Sequence, residues 1–322
     1  MRRKYLQALI DIKEATASSM GGKNVYYVDG TNGSDGNDGK SLASALATID
    51  AAVGKCGFGD VIYVLPIEIA ATDTDPGSYT ENIVVDVPGI AIIGISRGLT
   101  QGGQPQVKVG DTTTDPIMTI SAPGCLITGL GFNGSGATGG GILLNDDGGS
   151  TAAAFGTTVK GCHFKNCKGT TATDCRTGGA IMWSANGGAW QTRIEGNVFY
   201  KNVGDVVLKG TSSSVPQDVV ICNNKFLGLA TSVDCHLYLA GGSGMASVLV
   251  DSNVFADVLP ALGSGSVTRY VEMTGCTGIF SNNFVGGSYT TTGWGAARAA
   301  GVLPTTVGIV HNYSDAGLIV RQ

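Results

Sequence analysis

Glu195, Asp251 and Glu272 are the carboxylates whose placement could support acid–base chemistry. Glu195 and Asp251 occupy the same position in two copies of a repeated phrase, with one copy between them. If successive copies stack at the interstrand spacing, their backbones stand about 9.6 Å apart. That is near the upper end of the separation that lets two carboxyl groups flank a sugar and a water. The same column reads Thr128, Lys160, Glu195, Cys222, Asp251 and Phe280. Lys160, one copy from Glu195, would offer it an ion pair, so the column also reads as a solvated face. His163, His236 and His311 fall on different columns, form no triad with a nucleophile, and read as surface or turn residues.

Two further groups could hold a metal. Asp29, Asn32, Asp35, Asn37 and Asp38 crowd a Gly-rich loop, but the calcium-loop pattern fails at its twelfth position, Lys40, where a Glu is needed. Turn chemistry is the alternative. The eight cysteines, Cys56, Cys125, Cys162, Cys167, Cys175, Cys222, Cys235 and Cys276, are irregularly spaced with no CxxC. They read as small apolar members of buried strands, with a disulfide or a metal site as the other readings, and a reducing compartment fits them. No cofactor and no metal is expected on these grounds. Trp183, Trp190, Tyr200, Tyr238 and Trp294 could stack on sugar rings, pack a subunit interface or fill the core.

A repeat positions these residues. The phrases CLITGLGF, TVKGCHF, RIEGNVF, VICNNKF, LVDSNVF, GIFSNNF and GIVHNYS recur about every 30 residues. Aligned, they place Ile127, Val159, Ile194, Ile221, Val250, Ile279 and Ile309 in one column. Three residues on stand Leu130, Cys162, Asn197, Asn224, Asn253, Asn282 and Asn312, followed by Phe132, Phe164, Phe199, Phe226, Phe255 and Phe284, with Tyr313 one place early in the last copy. A fixed period marks a solenoid. Gly, Ser and Asn interrupt every apolar run, so helices are excluded and short strands remain. A second strand follows each phrase: 141–146, 180–184, 205–210, 236–241 and 270–275. The chain is therefore all-β, a right-handed parallel β-helix, with Asn197, Asn224, Asn253, Asn282 and Asn312 as a structural ladder at a tight turn that tolerates left-handed backbone. A binding role for that ladder is the alternative.

The chain has 322 residues, 43% hydrophobic, 14% charged and 51 of them Gly, enough for one large solenoid domain. A net charge of −5 argues against a nucleic-acid partner, and no apolar run is long enough to span a membrane. Residues 1–23 carry five basic and two acidic side chains, a net of +3, so the remainder carries −8. Residues 3–18 suit a short amphipathic helix, and Arg2, Arg3, Lys4, Tyr5, Leu6, Leu9 and Ile12 are its docking candidates. A cap over the end of the solenoid is the second role for this arm. Polar residues interrupt what would be the core of a signal peptide. Residues 24–322 form the β-helix domain, with 24–60 as its capping segment. A helix is expected at about 44–54, capped by Ser41 or Ser44 and burying Leu46, Ile49 and Val53.

The run YYVDGTNGSDGNDG, then ALATIDAAV, GDVIYVLP, GSYTENIVV and PGIAIIGIS, resembles the N-terminal segment of the pectin-lyase-like superfamily of parallel β-helix proteins. With the later coils the resemblance covers about residues 24–320. It implies the fold and leaves function open, because it spans pectate lyases, polygalacturonases, methylesterases, epimerases, phage tailspikes and non-catalytic virion proteins. Gly77, Tyr79 and Glu81 match the GxYxE start of the methylesterases, whose later Gln and Asp motifs are missing. Of the polygalacturonase motifs only Asp146–Asp147 has a counterpart, and residues 193–195 read RIE instead of RIK. No carboxylate cluster of the pectate lyase kind stands out.

Two functions compete. The first is a non-catalytic structural protein of a phage virion, a capsid decoration or short spike protein. It would act as a homotrimer, as virion β-helices commonly do, and dock on capsid or tail proteins through residues 1–23. The second is a polysaccharide-degrading lyase or hydrolase using Glu195, Asp251 or Glu272, with a host glycan as partner. The first places the protein in a virion assembled in a host cytoplasm, and the alternative is secretion.

Overall fold

The structure is a computed structural model. It describes residues 24–67, 77–95, 103–145, 153–171, 174–183, 190–209, 217–228, 234–239, 246–257, 269–287, 301–314 and 317–319. The proposed arm, residues 1–23, lies outside the described residues, as do Asp146, Asp147 and Trp294.

The chain winds as a parallel β-helix with three long sheets. An anchor sheet of ten strands runs from Val25–Val28 to Val307–Val310. An aromatic sheet of ten strands runs from Ser78–Thr80 to Gly317–Ile319, and a third sheet of eight runs from Ile83–Val85 to Gly301–Val302. Every pairing is parallel except the last of the aromatic sheet, where Asn312–Ser314 and Gly317–Ile319 run antiparallel. The second strands expected from the sequence are the third sheet: Ile142–Leu144, Ile181–Trp183, Gly204–Val207, Cys235–Tyr238 and Arg269–Glu272.

Identical positions stack into a continuous interior. Ile127, Val159, Ile194, Ile221 and Val250 are in register and buried. Phe132, Phe164, Phe199, Phe226 and Phe255 form a ladder of parallel rings with centroids 4.8–5.1 Å apart. Such offset aromatic contacts add to the hydrophobic burial each ring already provides.

The next coil departs from the expected alignment by one residue. Phe280, not Ile279, pairs with Val250 and Ile309, and Ile279 is exposed. Val285, not Phe284, pairs with Phe255, and Phe284 and Tyr313 lie on the surface. Because side chains alternate faces along a strand, a slip of one residue exchanges inside for outside. The aligned phrase was misleading there because GIFSNNF offers two apolar residues and two asparagines side by side.

The Asn ladder slips with it. Asn283, not Asn282, is the fourth rung: Asn253 N–H donates to Asn283 Oδ1 at 2.9 Å, and Asn283 N–H donates to Asn312 Oδ1 at 2.9 Å. Asn197, Asn224 and Asn253 continue the same pattern, and each Nδ2 donates to an anchor-strand carbonyl in the preceding coil, as from Asn224 to Ile194 at 2.9 Å. The left-handed residue of this turn is the one before each rung: Gly129, Gly161, Gly196, Asn223, Ser252, Asn282 and His311 all have positive φ. Tolerance of left-handed backbone and amide stacking are thus tasks of two adjacent positions.

The expected capping helix is shorter than the sequence suggested. A 3-10 turn, Leu42–Ser44, takes Ser41 as its N-cap, and the α-helix Ile49–Val53 takes Thr48, whose Oγ1 accepts from Ala51 N–H. Leu46, Ile49 and Val53 are buried as expected.

Candidate functional site

The anchor-sheet column is the first place to look for a site. Lys160, Glu195, Cys222, Asp251 and Ser281 are in register on its outer face, with Ser281 where the sequence alignment put Phe280. Glu195 and Asp251 are therefore separated by one strand, as expected, but neither carboxylate is free. Glu195 is held by Arg193 at 2.7 Å and Lys160 at 3.5 Å. The Arg193 guanidinium holds its carboxyl below the usual range. Asp251 Oδ1 accepts from Ser281 at 2.6 Å and Asn282 at 2.8 Å, while Oδ2 accepts from Ser252 at 2.8 Å. Partial burial raises the Asp251 pKa, and these three hydrogen bonds outweigh it, so the carboxyl sits below its ordinary value. Two ionised, fully engaged carboxylates supply no general acid.

Glu272 is not part of that face. It stands in an outward column on the third sheet with Met182, Val207 and Tyr238, and its register partner on the next strand is Val302. Its carboxylate pairs with Arg269 at 2.5 Å and accepts from the Thr274 hydroxyl and, at 3.3 Å, from Thr274 N–H. Beside it lies a grouping of titratable side chains. The 3-10 turn Cys175–Thr177 lays Asp174, Cys175 and Arg176 against Asp234 and Cys235, which open the strand two coils on. Cys175 N–H donates to Asp234 Oδ2 at 3.1 Å, and Arg176 makes a bidentate contact with Asp174. Lys209 Nζ donates to the Arg176 carbonyl at 2.8 Å. A small apolar cluster of Cys175, Val203, Val207 and Cys235, with Tyr238 at its edge, lies beneath. Sequence reasoning found Glu272 here but missed Asp174, Cys175, Asp234 and Cys235. The paired Asp–Cys steps at 174–175 and 234–235 were the available signal.

The remaining candidates are structural. Tyr79 OH donates to Leu65 O at 2.6 Å and accepts from Gly30 N–H. Glu81 accepts from Ile49 N–H at 3.1 Å and Asp50 N–H at 2.9 Å, capping the helix. Burial raises the Glu81 pKa, and these hydrogen bonds oppose it. The GxYxE phrase thus fastens the cap to the first coils. The Asp-rich loop is also spent locally. Asp29 accepts from Thr31 and Asn32, Asp35 from Ala47 and Thr48, and Asp38 from Lys40 and Ser44.

Two histidines correct the sequence reading. His163 and His236 are buried, and only His311 is an exposed turn residue. Burial holds His163 at about 4, so it is neutral at physiological pH. His236 faces the interior beside Phe226 and Phe255, whereas His163 stands in the outward column with Gly131 and Val198, next to the inward Phe164, and is covered there. Trp183 is core, Trp190 is exposed, and Lys201 lies 5.3 Å from the Tyr200 ring centroid. None of the eight cysteines is in a disulfide, and seven are buried.

No family model and no curated protein matches this chain. Its fold is similar to that of several solved structures. A rice weevil pectin methyl esterase aligns over 86% of this chain and 88% of its own at 10% identity, with a TM-score of 0.48. A rhamnogalacturonan lyase aligns over 92% and 87% at 12% identity and 0.39. The A-module of a mannuronan C-5 epimerase from Azotobacter vinelandii aligns over 92% and 93% at 13% identity and 0.31. All share the parallel β-helix, and likeness at this level transfers no activity. Among the described residues no helix is long and apolar enough to cross a membrane.

Proposed function

We propose that this β-helix is a non-catalytic structural protein of a phage virion, a capsid decoration or short spike protein acting as a homotrimer. One observation carries the non-catalytic reading: each of the three candidate carboxylates is committed to a cation or to several hydroxyl and amide donors. Assembly is supported by the last coils of the aromatic sheet, where Phe284, Tyr313 and Leu318 are exposed and in register. An apolar band of this kind marks a surface that another chain covers. In this reading the basic arm of residues 1–23 docks on a capsid or tail protein, and the β-helix supplies a rigid body.

The test is direct. The purified chain should be a trimer by light scattering, near three times 32.7 kDa. Deleting residues 1–20 should leave the trimer folded and abolish particle binding. A monomer that binds no particle would end this reading.

The second reading, a polysaccharide-degrading lyase or hydrolase, is favoured by the grouping of Tyr238, Arg269 and Glu272 on the third sheet. The names of the similar structures, a methyl esterase, a lyase and an epimerase, suggest acidic polysaccharides as its substrates. Cleavage of such a polymer by the wild type, lost in Glu272→Gln, would establish it.

A further inference from the structure

The Asp174–Cys175 turn and the Asp234–Cys235 strand start come from coils two apart, yet their side chains converge. The Asp174 and Asp234 carboxylates and the Cys175 thiol offer donor atoms that all lie within 4.8 Å of one another. Cys235 follows Asp234 directly and is wholly buried, but its thiol donates to the Leu237 carbonyl at 3.2 Å, so it stands beside these donors and not among them. Thiolate and carboxylate together form a borderline donor set that suits zinc far better than calcium or magnesium.

We propose that Asp174, Cys175 and Asp234 bind a divalent cation of the zinc class, with water in the fourth position. A tetrahedral ion with bonds of about 2.0–2.3 Å needs donors roughly 3.3–3.8 Å apart. The present spacing requires a contraction of the order of 1 Å, which carboxylate rotation can supply. Asp234 uses Oδ2 to hold Cys175 N–H, and Oδ1 can turn to the ion. Arg176 fixes the Asp174 carboxylate through Nε at 2.8 Å and Nη2 at 2.7 Å, orienting it as second partners orient metal ligands.

The charges balance. On binding, the Cys175 thiol releases its proton to solvent, so one thiolate and two carboxylates carry three negative charges. The ion supplies two positive charges, and the Arg176 guanidinium paired with Asp174 supplies the third. The backbone is shaped for the approach. Gly204, on the strand between the two halves, has no side chain where an added Cβ would come within 2.8 Å of the Cys175 Cβ. The ion would staple the turn 174–177 across that middle strand, closing the outer face of the third sheet.

The experiment uses the full chain, reduced and freed of metal by a chelator, and titrated with Co2+. The expected result is a thiolate-to-cobalt charge-transfer band that saturates at one equivalent and is displaced by Zn2+. Cys175→Ser should lose the band, whereas Cys222→Ser, on the anchor sheet, should keep it. Circular dichroism checks that each variant is folded. If Cys175→Ser fails to fold, Asp234→Asn provides the second test, and its cobalt half-saturation should shift upward. Absence of a thiolate band in the folded wild type overturns the proposal. So does a band that survives both Cys175→Ser and Asp234→Asn, or a Cys175–Cys235 disulfide in air from a reduced protein that takes no metal.

Discussion

His236 Nδ1 lies 2.5 Å from Asp205 Oδ2 inside the solenoid, with both side chains essentially inaccessible to water. Asn202 Nδ2 donates to the other carboxylate oxygen at 2.8 Å, and the imidazole packs beside Phe226 and Phe255. A buried carboxylate left without its partner is a severe defect, costing about 3–5 kcal/mol. His236→Ala should therefore destabilise the fold by that order in urea denaturation, whereas Asp205→Asn keeps an acceptor for the ring and should cost less. Burial raises the Asp205 pKa, while His236 and Asn202 oppose that rise. A raised folded-state pKa means the folded chain holds its proton longer than the unfolded chain, so this carboxyl's contribution falls as pH climbs through the raised value. The stability of wild type minus that of Asp205→Asn should decline with rising pH above the ordinary carboxyl range. A difference that is flat or rises with pH would contradict the assignment.

Adjacent asparagines test the register. Asn283 accepts from Asn253 N–H and donates to Val250 O at 3.0 Å, all out of water, whereas Asn282 faces outward to Asp251. Each buried partner orphaned by truncation costs about 1–3 kcal/mol. Asn283→Ala should lower the unfolding free energy by about 2–4 kcal/mol, and Asn224→Ala by a similar amount. Asn282→Ala should cost about 1 kcal/mol or less, chiefly from its left-handed φ of 54°. Equal effects at 282 and 283 would refute the observed ladder.

Much of this architecture was legible in the sequence because a solenoid writes its core as columns. Five of the seven anchor positions stack in consecutive register from Ile127 to Val250, and the phenylalanine ladder from Phe132 to Phe255 follows the same period. The slip at Ile279–Phe280 was not legible, because either residue could fill an apolar slot and only the neighbouring coil decides. The pair Asp205–His236 was hidden for a different reason. Its members lie in adjacent third-sheet strands, and a polar letter in a short strand conventionally signals the outer face. The Asp174–Cys175 and Asp234–Cys235 cluster depends on a turn that arches across one intervening coil, which periodicity does not encode.

The slip predicts opposite outcomes for two phenylalanines that the phrase treats alike. Phe199 is stacked between Phe164 and Phe226 and fully buried, so Phe199→Ala should cost about 3–5 kcal/mol. Phe284 is 42% exposed, so Phe284→Ala should change monomer stability by about 0.5 kcal/mol or less. If the exposed apolar band buries itself in the oligomer, the same change should weaken association instead. Sedimentation of Phe284→Ala against wild type across a dilution series separates these effects.

Glu81 links the cap to the first coil, and its loss should loosen that end first. Truncation to Ala orphans Ile49 N–H and Asp50 N–H at the helix N-terminus, where a carboxylate is also favoured by the helix dipole. Glu81→Ala should cost about 1–3 kcal/mol. Hydrogen exchange should show faster opening at 49–53 than at Ile194 or Ile221. Uniform acceleration along the solenoid would mean that the cap and the shaft open as a single unit.

Glu195 and Asp251 give the sharpest separation between the two functional readings. Glu195 is ion-paired at a partly exposed face, where such a pair contributes at most about 1 kcal/mol. Asp251 is tied to Ser281, Asn282 and Ser252, so its removal loosens a turn without emptying any core position. The double variant Glu195→Ala/Asp251→Ala should remain folded, assemble normally and bind particles as the wild type does. A glycosidase acting through this pair would instead lose essentially all turnover, because neither the proton donor nor the water-activating base would remain. Incubating both proteins with acidic polysaccharides and measuring reducing ends, alongside light scattering for assembly, distinguishes the cases. Cleavage by the wild type that vanishes in the double variant would displace the structural reading.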